Sequence, residues 1–231
     1  MFFDPLYLML LGPAMLLALW AQFKVKRAYK RYSEVPTARG VTGAEVAREI
    51  LRANGIADVP IEVADGFLSD HYDPRSRTLR LSSGVYHGRS VAAAGIAAHE
   101  VGHAIQHARA YGPLVLRNTL APVAMLGSNL AMILLMVGLF LKAMGLVYLG
   151  IIAFSAAVVF TLITLPVEFD ASRRAKELLP QLGLVSSGER DGVASVLNAA
   201  ALTYVAAAIS AVLQLVYFLI RAGLLGGDRR D

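Results

Sequence analysis

The sequence predicts a mainly α-helical membrane protein: four transmembrane helices that carry a small α+β unit on one face. Three observations predict it. The chain of 231 residues is 56% hydrophobic with a mean hydropathy of +0.56, too apolar for an ordinary water-soluble domain. Its apolar residues gather in four runs of roughly 18–22 residues, the length that crosses a hydrocarbon core about 30 Å thick. Of the 22 Lys and Arg, 18 fall in just two of the segments that flank those runs. That bias assigns those segments to the cytoplasm.

The first run is Leu6 to Phe23. Met1-Phe2-Phe3-Asp4 lacks the basic leader of a signal peptide. Lys24, Lys26, Arg27, Lys30 and Arg31 follow the run instead, the pattern of an uncleaved helix with a cytoplasmic C-terminal flank. The expected division is therefore a first transmembrane helix over 1–23 and a cytoplasmic domain over 24–117. Within that domain Thr42 reads as the N-cap of a helix through Ala53 that stops at Asn54-Gly55. Ala44, Val46, Ala47, Ile50 and Leu51 supply its apolar stripe. Ile61-Glu62-Val63 is a short strand candidate, Asp73-Pro74-Arg75-Ser76 a turn, and Thr78 to Ser82 a strand by its period-two alternation. Ser90 caps a helix from Val91 to about Ala110, closed by Gly112-Pro113.

The second run, Leu120 to Leu141, is separated from the third, Leu146 to Val167, by a short break holding Lys142 and Gly145. They form a helical hairpin over 118–167, so that 168–200 returns to the cytoplasmic face. The fourth run, Leu202 to Ile220, lies in the last segment, 201–231. An even number of crossings puts both termini outside.

The composition also excludes several classes. The net charge of +5 follows the membrane topology, and no basic patch interleaved with aromatics points to nucleic acid. The chain has no cysteine, which rules out disulfides and thiolate-ligated metal. Any metal site must use His and carboxylate.

One such pattern is present. His99-Glu100-Val101-Gly102-His103 is an H-E-x-x-H motif in a stretch that reads as helix. Residues four apart share a helical face, so two imidazoles can aim a nitrogen at one zinc ion, and the intervening Glu can act as general base on water. Chance matches from this chain's His and Glu content are on the order of 0.004. A catalytic zinc takes three protein ligands and keeps a fourth position open. His107 lies one further turn along, about 6 Å beyond the pair on a straight helix, too far to close a tetrahedron. It reads as a surface residue or a support to the ligands. Glu168, just after the third run, is the stronger candidate, because two crossings return it to the face that holds the motif. The competing reading is an interfacial helix cap.

The residues also carry a family resemblance. Asp70-His71-Tyr72-Asp73-Pro74, Ala97 to Ala104, Leu165 to Ala175 and Leu197 to Tyr204 resemble the YugP-like neutral zinc metallopeptidases, bacterial membrane proteins assigned as proteases. The chain is more distantly similar to HtpX-type membrane proteases, which use H-E-x-x-H with a Glu in an E-x-x-A-D pattern at a helix end. The resemblance implies a zincin-like, specifically gluzincin-like, catalytic domain with Glu168 in the ligand place and Ala171 in the Ala place. Ser172 stands where Asp is usual, so Asp170, Ser172 or Arg174 must orient a ligand His.

The expected function is thus a membrane-anchored zinc endopeptidase of the cell membrane. One Zn²⁺ is held by His99, His103 and Glu168, with Glu100 as base and a site facing the cytoplasm. Expected partners are protein or peptide substrates, membrane proteins among them, and the lipid bilayer. His71, Tyr72, Arg173 and Tyr204 are candidates to contact substrate or stabilise the oxyanion. The Thr78–Ser82 strand is a candidate sheet edge for binding extended peptide, and Arg75, Arg77 and Arg80 a solvated basic face. Three alternatives compete. An intramembrane protease would need the motif inside an apolar span, but its apolar stretch is short and flanked by Arg89 and Arg109. A noncatalytic zinc-binding scaffold would normally fill all four metal positions with protein ligands. A transporter would carry charges within its spans.

Overall fold

The computed structural model describes residues 4–225. The elements run in order α1 (Pro5–Ser33), α2 (Gly43–Ala53), β1 (Ile61–Ala64), β2 (His71–Asp73), β3 (Thr78–Ser82), α3 (Ser83–Tyr86) and α4 (Val91–Ala108). Then come α5 (Gly112–Phe140), α6 (Met144–Gln181), a 3₁₀ turn (Ser187–Glu189) and α7 (Arg190–Arg221). Among the described residues, four helical segments are long and apolar enough to cross a membrane: α1, α5, α6, and α7 together with its preceding turn. The chain forms two compact units.

Among the described residues, one unit draws on 4–20, 115–165 and 203–225. Its small core holds Leu11, Leu135, Val147, Ile151, Tyr217 and Phe218, while large side chains such as Phe140, Met125 and Ile152 stay exposed. Apolar side chains facing outward are what a lipid-solvated bundle requires. Close helix contact relies on small residues: a Cβ at Gly127 would lie 2.9 Å from the Ala153 carbonyl oxygen, and one at Gly150 only 2.8 Å from the Leu135 side chain. The Tyr217 hydroxyl donates to Asp4 Oδ2 at 2.9 Å, tying the first helix to the last.

The other unit comprises residues 21–114 and 166–202. α2 begins as the sequence predicts. Thr42 Oγ1 accepts from the Glu45 N–H at 3.2 Å, and Glu45 Oε2 accepts from the Thr42 N–H at 2.7 Å, a reciprocal capping box. Its stripe of Val46, Ala47, Ile50 and Leu51 packs with β3 and α4 in one core, joined by Ala175 and Leu179 of α6 and Val193 and Leu197 of α7. α4 is buried along nearly its whole length, which explains its wealth of Ala, Gly and Val. Helices pack around it on several sides, so no face needs to be polar except where chemistry demands it.

The sheet corrects one expectation. Its order is β1-β3-β2, with β1 parallel and β2 antiparallel to β3. β3 is therefore the central strand, not an edge, and its backbone is not free to pair with a peptide. The edge strand that contacts α4 is β2, three residues long and not among the strands that the sequence predicts. Asp73 to Arg77 then supplies the hairpin connection, with Ser76 Oγ donating to Asp73 Oδ2 at 2.8 Å. Arg80 is not part of a solvated basic face either: it pairs with Glu62 at 3.2 Å and Asp73 at 3.1 Å across the strands.

Candidate metal centre

α4 presents the motif. Ser90 caps the helix through a 3.2 Å bond from the Ala93 N–H to its hydroxyl. Nine to thirteen residues on, well inside the helix, His99 and His103 stack edge to face with ring centroids 4.8 Å apart. The third group comes from α6. Glu168 is 1% exposed, and its Oε2 lies 3.3 Å from His99 Nε2 and 3.6 Å from His103 Nε2. One ligand atom from each of the three residues falls within 4.8 Å of the other two, the one such group of His and carboxylates among the described residues.

These distances test whether a metal fits. A tetrahedral ion with bonds of about 2.0–2.1 Å has ligand atoms about 3.3 Å apart along each edge. The separations of 3.3 and 3.6 Å from Glu168 Oε2 to the two imidazoles lie at or just above that value. A carboxylate oxygen facing two imidazole nitrogens is also a donor set that zinc accepts. Three protein donors leave one position for a water or a substrate oxygen.

The helices that bring these groups together approach very closely, and Gly102 is the reason. A Cβ there would sit 2.8 Å from the Ala171 carbonyl oxygen and 3.0 Å from the Ala171 Cα. Ala171 follows Glu168 by three residues, so Gly102 sets the distance at which α6 delivers its carboxylate to α4. Glu168 is not at a helix end: α6 continues to Gln181, and the helix backbone holds the residue on both sides.

Each imidazole is oriented from behind. His99 Nδ1 lies 3.1 Å from Ser172 Oγ. A metal on Nε2 would place the ring proton on Nδ1, where the serine hydroxyl oxygen would accept the N–H. Of the three residues expected to orient a ligand His, Ser172 is the one within hydrogen-bonding distance of His99. His103 Nδ1 is 3.0 Å from Oε1 of Gln106, a fully buried residue. The Gln106 amide has its orientation fixed, because its NH₂ donates to Val167 O at 2.8 Å and to Asp170 Oδ2 at 2.9 Å. Its oxygen must therefore accept from His103 Nδ1–H, so that a metal would take the lone pair of Nε2. Asp170 is anchored in turn by Arg173 and by Arg174 Nε at 2.6 Å. Gln106 was missed in the sequence. The available signal was its position three residues after His103, on the same helical face.

Glu100 faces the same cluster. Its Oε2 accepts from the Tyr72 main-chain N–H at 3.2 Å, the contact by which β2 meets α4. Burial raises the Glu100 pKa against the opposing pull of His99 and His103. At His103 burial acts downward, but a hydrogen bond donated to the Glu168 carboxylate and the charge of Glu100 outweigh it and raise the pKa.

The remaining candidates divide. Tyr72 contributes its backbone to Glu100, while its hydroxyl lies 2.9 Å from His107 Nδ1. His107 thus engages a strand residue and is outside the three-residue cluster. His71 is exposed, with Nδ1 2.8 Å from the Ser69 carbonyl. Arg173 is committed to Asp170 and Glu177. Tyr204 belongs to the other compact unit and is 37% exposed on α7.

Comparison with known proteins adds an independent line. A family model described as "Putative neutral zinc metallopeptidase" matches residues 7–223. The "Putative membrane protease YugP" of Bacillus subtilis (strain 168) is 51% identical over 215 residues, covering 93% of this chain and 96% of that protein. No solved structure matches significantly.

Proposed function

This chain belongs to the neutral zinc metallopeptidase family, and on that premise we propose that it is a multi-pass membrane endopeptidase that uses one zinc ion. The observation that carries the reading is the placement of Glu168 Oε2 at 3.3 and 3.6 Å from the two motif imidazoles, with Glu100 between them on α4. His99, His103 and Glu168 would hold the metal. Bound zinc would polarise the scissile carbonyl and bring the pKa of an attacking water toward about 7.

The chain's own residues supply the rest. Glu100 takes a proton from the attacking water and delivers it to the leaving amine. Its raised pKa suits a group that must hold the proton between those two steps. The Tyr72 N–H fixes one carboxylate oxygen and leaves the other to accept the proton. Ser172 and Gln106 keep the Nε2 atoms of the ligands free of protons. β2, beside the site, carries two of the groups proposed to contact the substrate, His71 and Tyr72.

The charge bias of the segments supports a site on the cytoplasmic side. Substrates are proposed to be proteins or peptides, membrane proteins among them. The intramembrane alternative is disfavoured because α4 is not among the four segments long and apolar enough to cross. A noncatalytic scaffold is disfavoured because the cluster offers three ligands, not the four of a structural zinc.

The test is metal content and peptide cleavage for detergent-purified wild type, Glu100→Gln and Glu168→Ala. The proposal expects one zinc in wild type and Glu100→Gln, less in Glu168→Ala, and cleavage by wild type only. Full cleavage by Glu100→Gln would overturn the assigned base. Zinc retained by Glu168→Ala at wild-type affinity would remove Glu168 from the ligand set.

A further inference from the structure

The loop between β1 and β2 displays apolar side chains that nothing in the catalytic argument uses. Phe67 is 68% exposed and Leu68 36%. The loop is shaped without burying them. Gly66 has φ +103° and Leu68 φ +53°, a backbone path that L residues rarely take. Ser69 Oγ donates to the Gly66 carbonyl at 3.2 Å, and His71 Nδ1 approaches Ser69 O at 2.8 Å. Short local bonds thus hold the tip open, with its largest apolar side chain turned outward.

The tip has an aromatic neighbour. Phe67 meets Tyr29 of α1 edge to face, with ring centroids 5.2 Å apart and planes at 88°. Tyr29 lies six residues beyond Phe23, the last apolar residue of the first run. Six residues of helix rise about 9 Å, and a headgroup layer is roughly 5–8 Å deep on each side of the hydrocarbon. Helical side chains lean toward the N-terminus of their helix, here back toward the membrane. A bilayer whose hydrocarbon ends at Phe23 would set the Tyr29 ring in the headgroup layer, with Phe67 beside it. Lys26, Arg27 and Lys30 are exposed on the same turns of α1, the charge that suits lipid phosphates.

From these observations we infer that the tip Gly66-Phe67-Leu68 dips into the bilayer at the boundary of headgroups and acyl chains. It anchors the β1–β2 loop there as a second, monotopic contact. The loop leads directly to Asp70, which accepts from the Ser82 N–H at 2.8 Å, and to Tyr72, whose N–H holds Glu100. A membrane contact at Phe67 thus fixes the strand that steadies Glu100. The inference rests on α1 crossing the bilayer and is independent of the peptidase assignment.

The chain has a single tryptophan, Trp20. In a Trp20→Phe background, Phe67→Trp is compared with Ala57→Trp, an exposed position before β1. Each full-length protein is reconstituted in vesicles of phosphatidylcholine and phosphatidylglycerol, with or without brominated acyl chains. The expected result is loss of about half the emission to bromolipid at position 67, little at 57, and weak quenching by aqueous iodide at 67. Equal bromolipid quenching at both positions would overturn the inference. So would an iodide-accessible Trp at 67, or one shielded from both iodide and bromolipid, as a contact with a second copy would give. The chain also lacks cysteine, so a spin label on Phe67→Cys reads the same depth through its exposure to oxygen against a water-soluble relaxant. It decides the matter if the tryptophan variant elutes or melts abnormally. Greater exposure to the water-soluble agent would refute membrane insertion.

Discussion

Gly102→Ala is expected to weaken metal binding although it adds only one methyl group. In the interior of an ordinary helix the change from Gly to Ala stabilises by about 0.8–1 kcal/mol. Here the new Cβ would lie 2.8 Å from the Ala171 carbonyl oxygen, whereas carbon–oxygen contacts between close helices lie at about 3.3–3.6 Å. The clash is with backbone and cannot be relieved by a rotamer. α6 must therefore withdraw from α4 by about 0.5 Å, and overpacking of this kind costs about 1–3 kcal/mol. Glu168 is one turn from Ala171 and moves with it. Metal sites tolerate about ±0.2 Å in ligand position, so zinc affinity should fall by at least about tenfold, the scale on which a displaced supporting shell is felt. Gly95→Ala on the same helix is the control. Its Cβ would meet Val193 Cγ1 at 3.5 Å, an ordinary contact, and should leave zinc affinity unchanged while stabilising slightly. Zinc affinity is read by chelator competition, and stability by thermal melting of the metal-free protein. Wild-type zinc affinity and a raised melting temperature for Gly102→Ala would refute the argument that this glycine sets the gap between the helices.

Further expectations follow from other contacts. Glu100→Gln should retain zinc and lose roughly 10²–10⁴-fold in peptide cleavage, the range for a lost general base, checked by metal content alongside turnover. Gln106→Ala should lower zinc affinity by about 10–100-fold, because His103 loses the acceptor that fixes its tautomer; unchanged chelator competition would count against that role. Tyr72→Phe keeps the main-chain bond to Glu100 and loses only the 2.9 Å contact with His107. Its kcat should stay near wild type, whereas an oxyanion role for the hydroxyl would cost about 10²–10³-fold. Thr42→Ala removes the cap of α2 and should cost about 1 kcal/mol in melting experiments without changing the zinc content.

The parts of the structure that could be read from sequence are those governed by near neighbours. The capping box at Thr42 and Glu45 involves residues three apart. The alternation of Thr78 to Ser82 is a property of one strand, and the placement of His99 and His103 on one face is a property of one helix. The long apolar helices were legible because a membrane imposes its length requirement on each segment separately. Strand order was not legible. Five alternating residues look alike at the edge or in the centre of a sheet, and only pairing with both β1 and β2 makes β3 central. β2 itself is three residues long, too short to show a period.

The candidate site divides along the same line. The motif supplied His99, Glu100 and His103 without reference to the rest of the chain, and counting spans brought Glu168 to the same face as a candidate. Sequence could not supply the 3.3 and 3.6 Å separations, since these depend on how closely two helices pack. Nor could it assign Gln106, whose amide is oriented by Val167 and Asp170, some sixty residues away. The sequence by itself determined which segments are apolar enough to cross a bilayer and which residue types could meet a metal, because periodicity and hydropathy are local. Only the tertiary structure decided which carboxylate faces the imidazoles, which residues hold their protons, and that Gly102 sets the gap. Those outcomes arise from contacts between chain segments that no local pattern encodes.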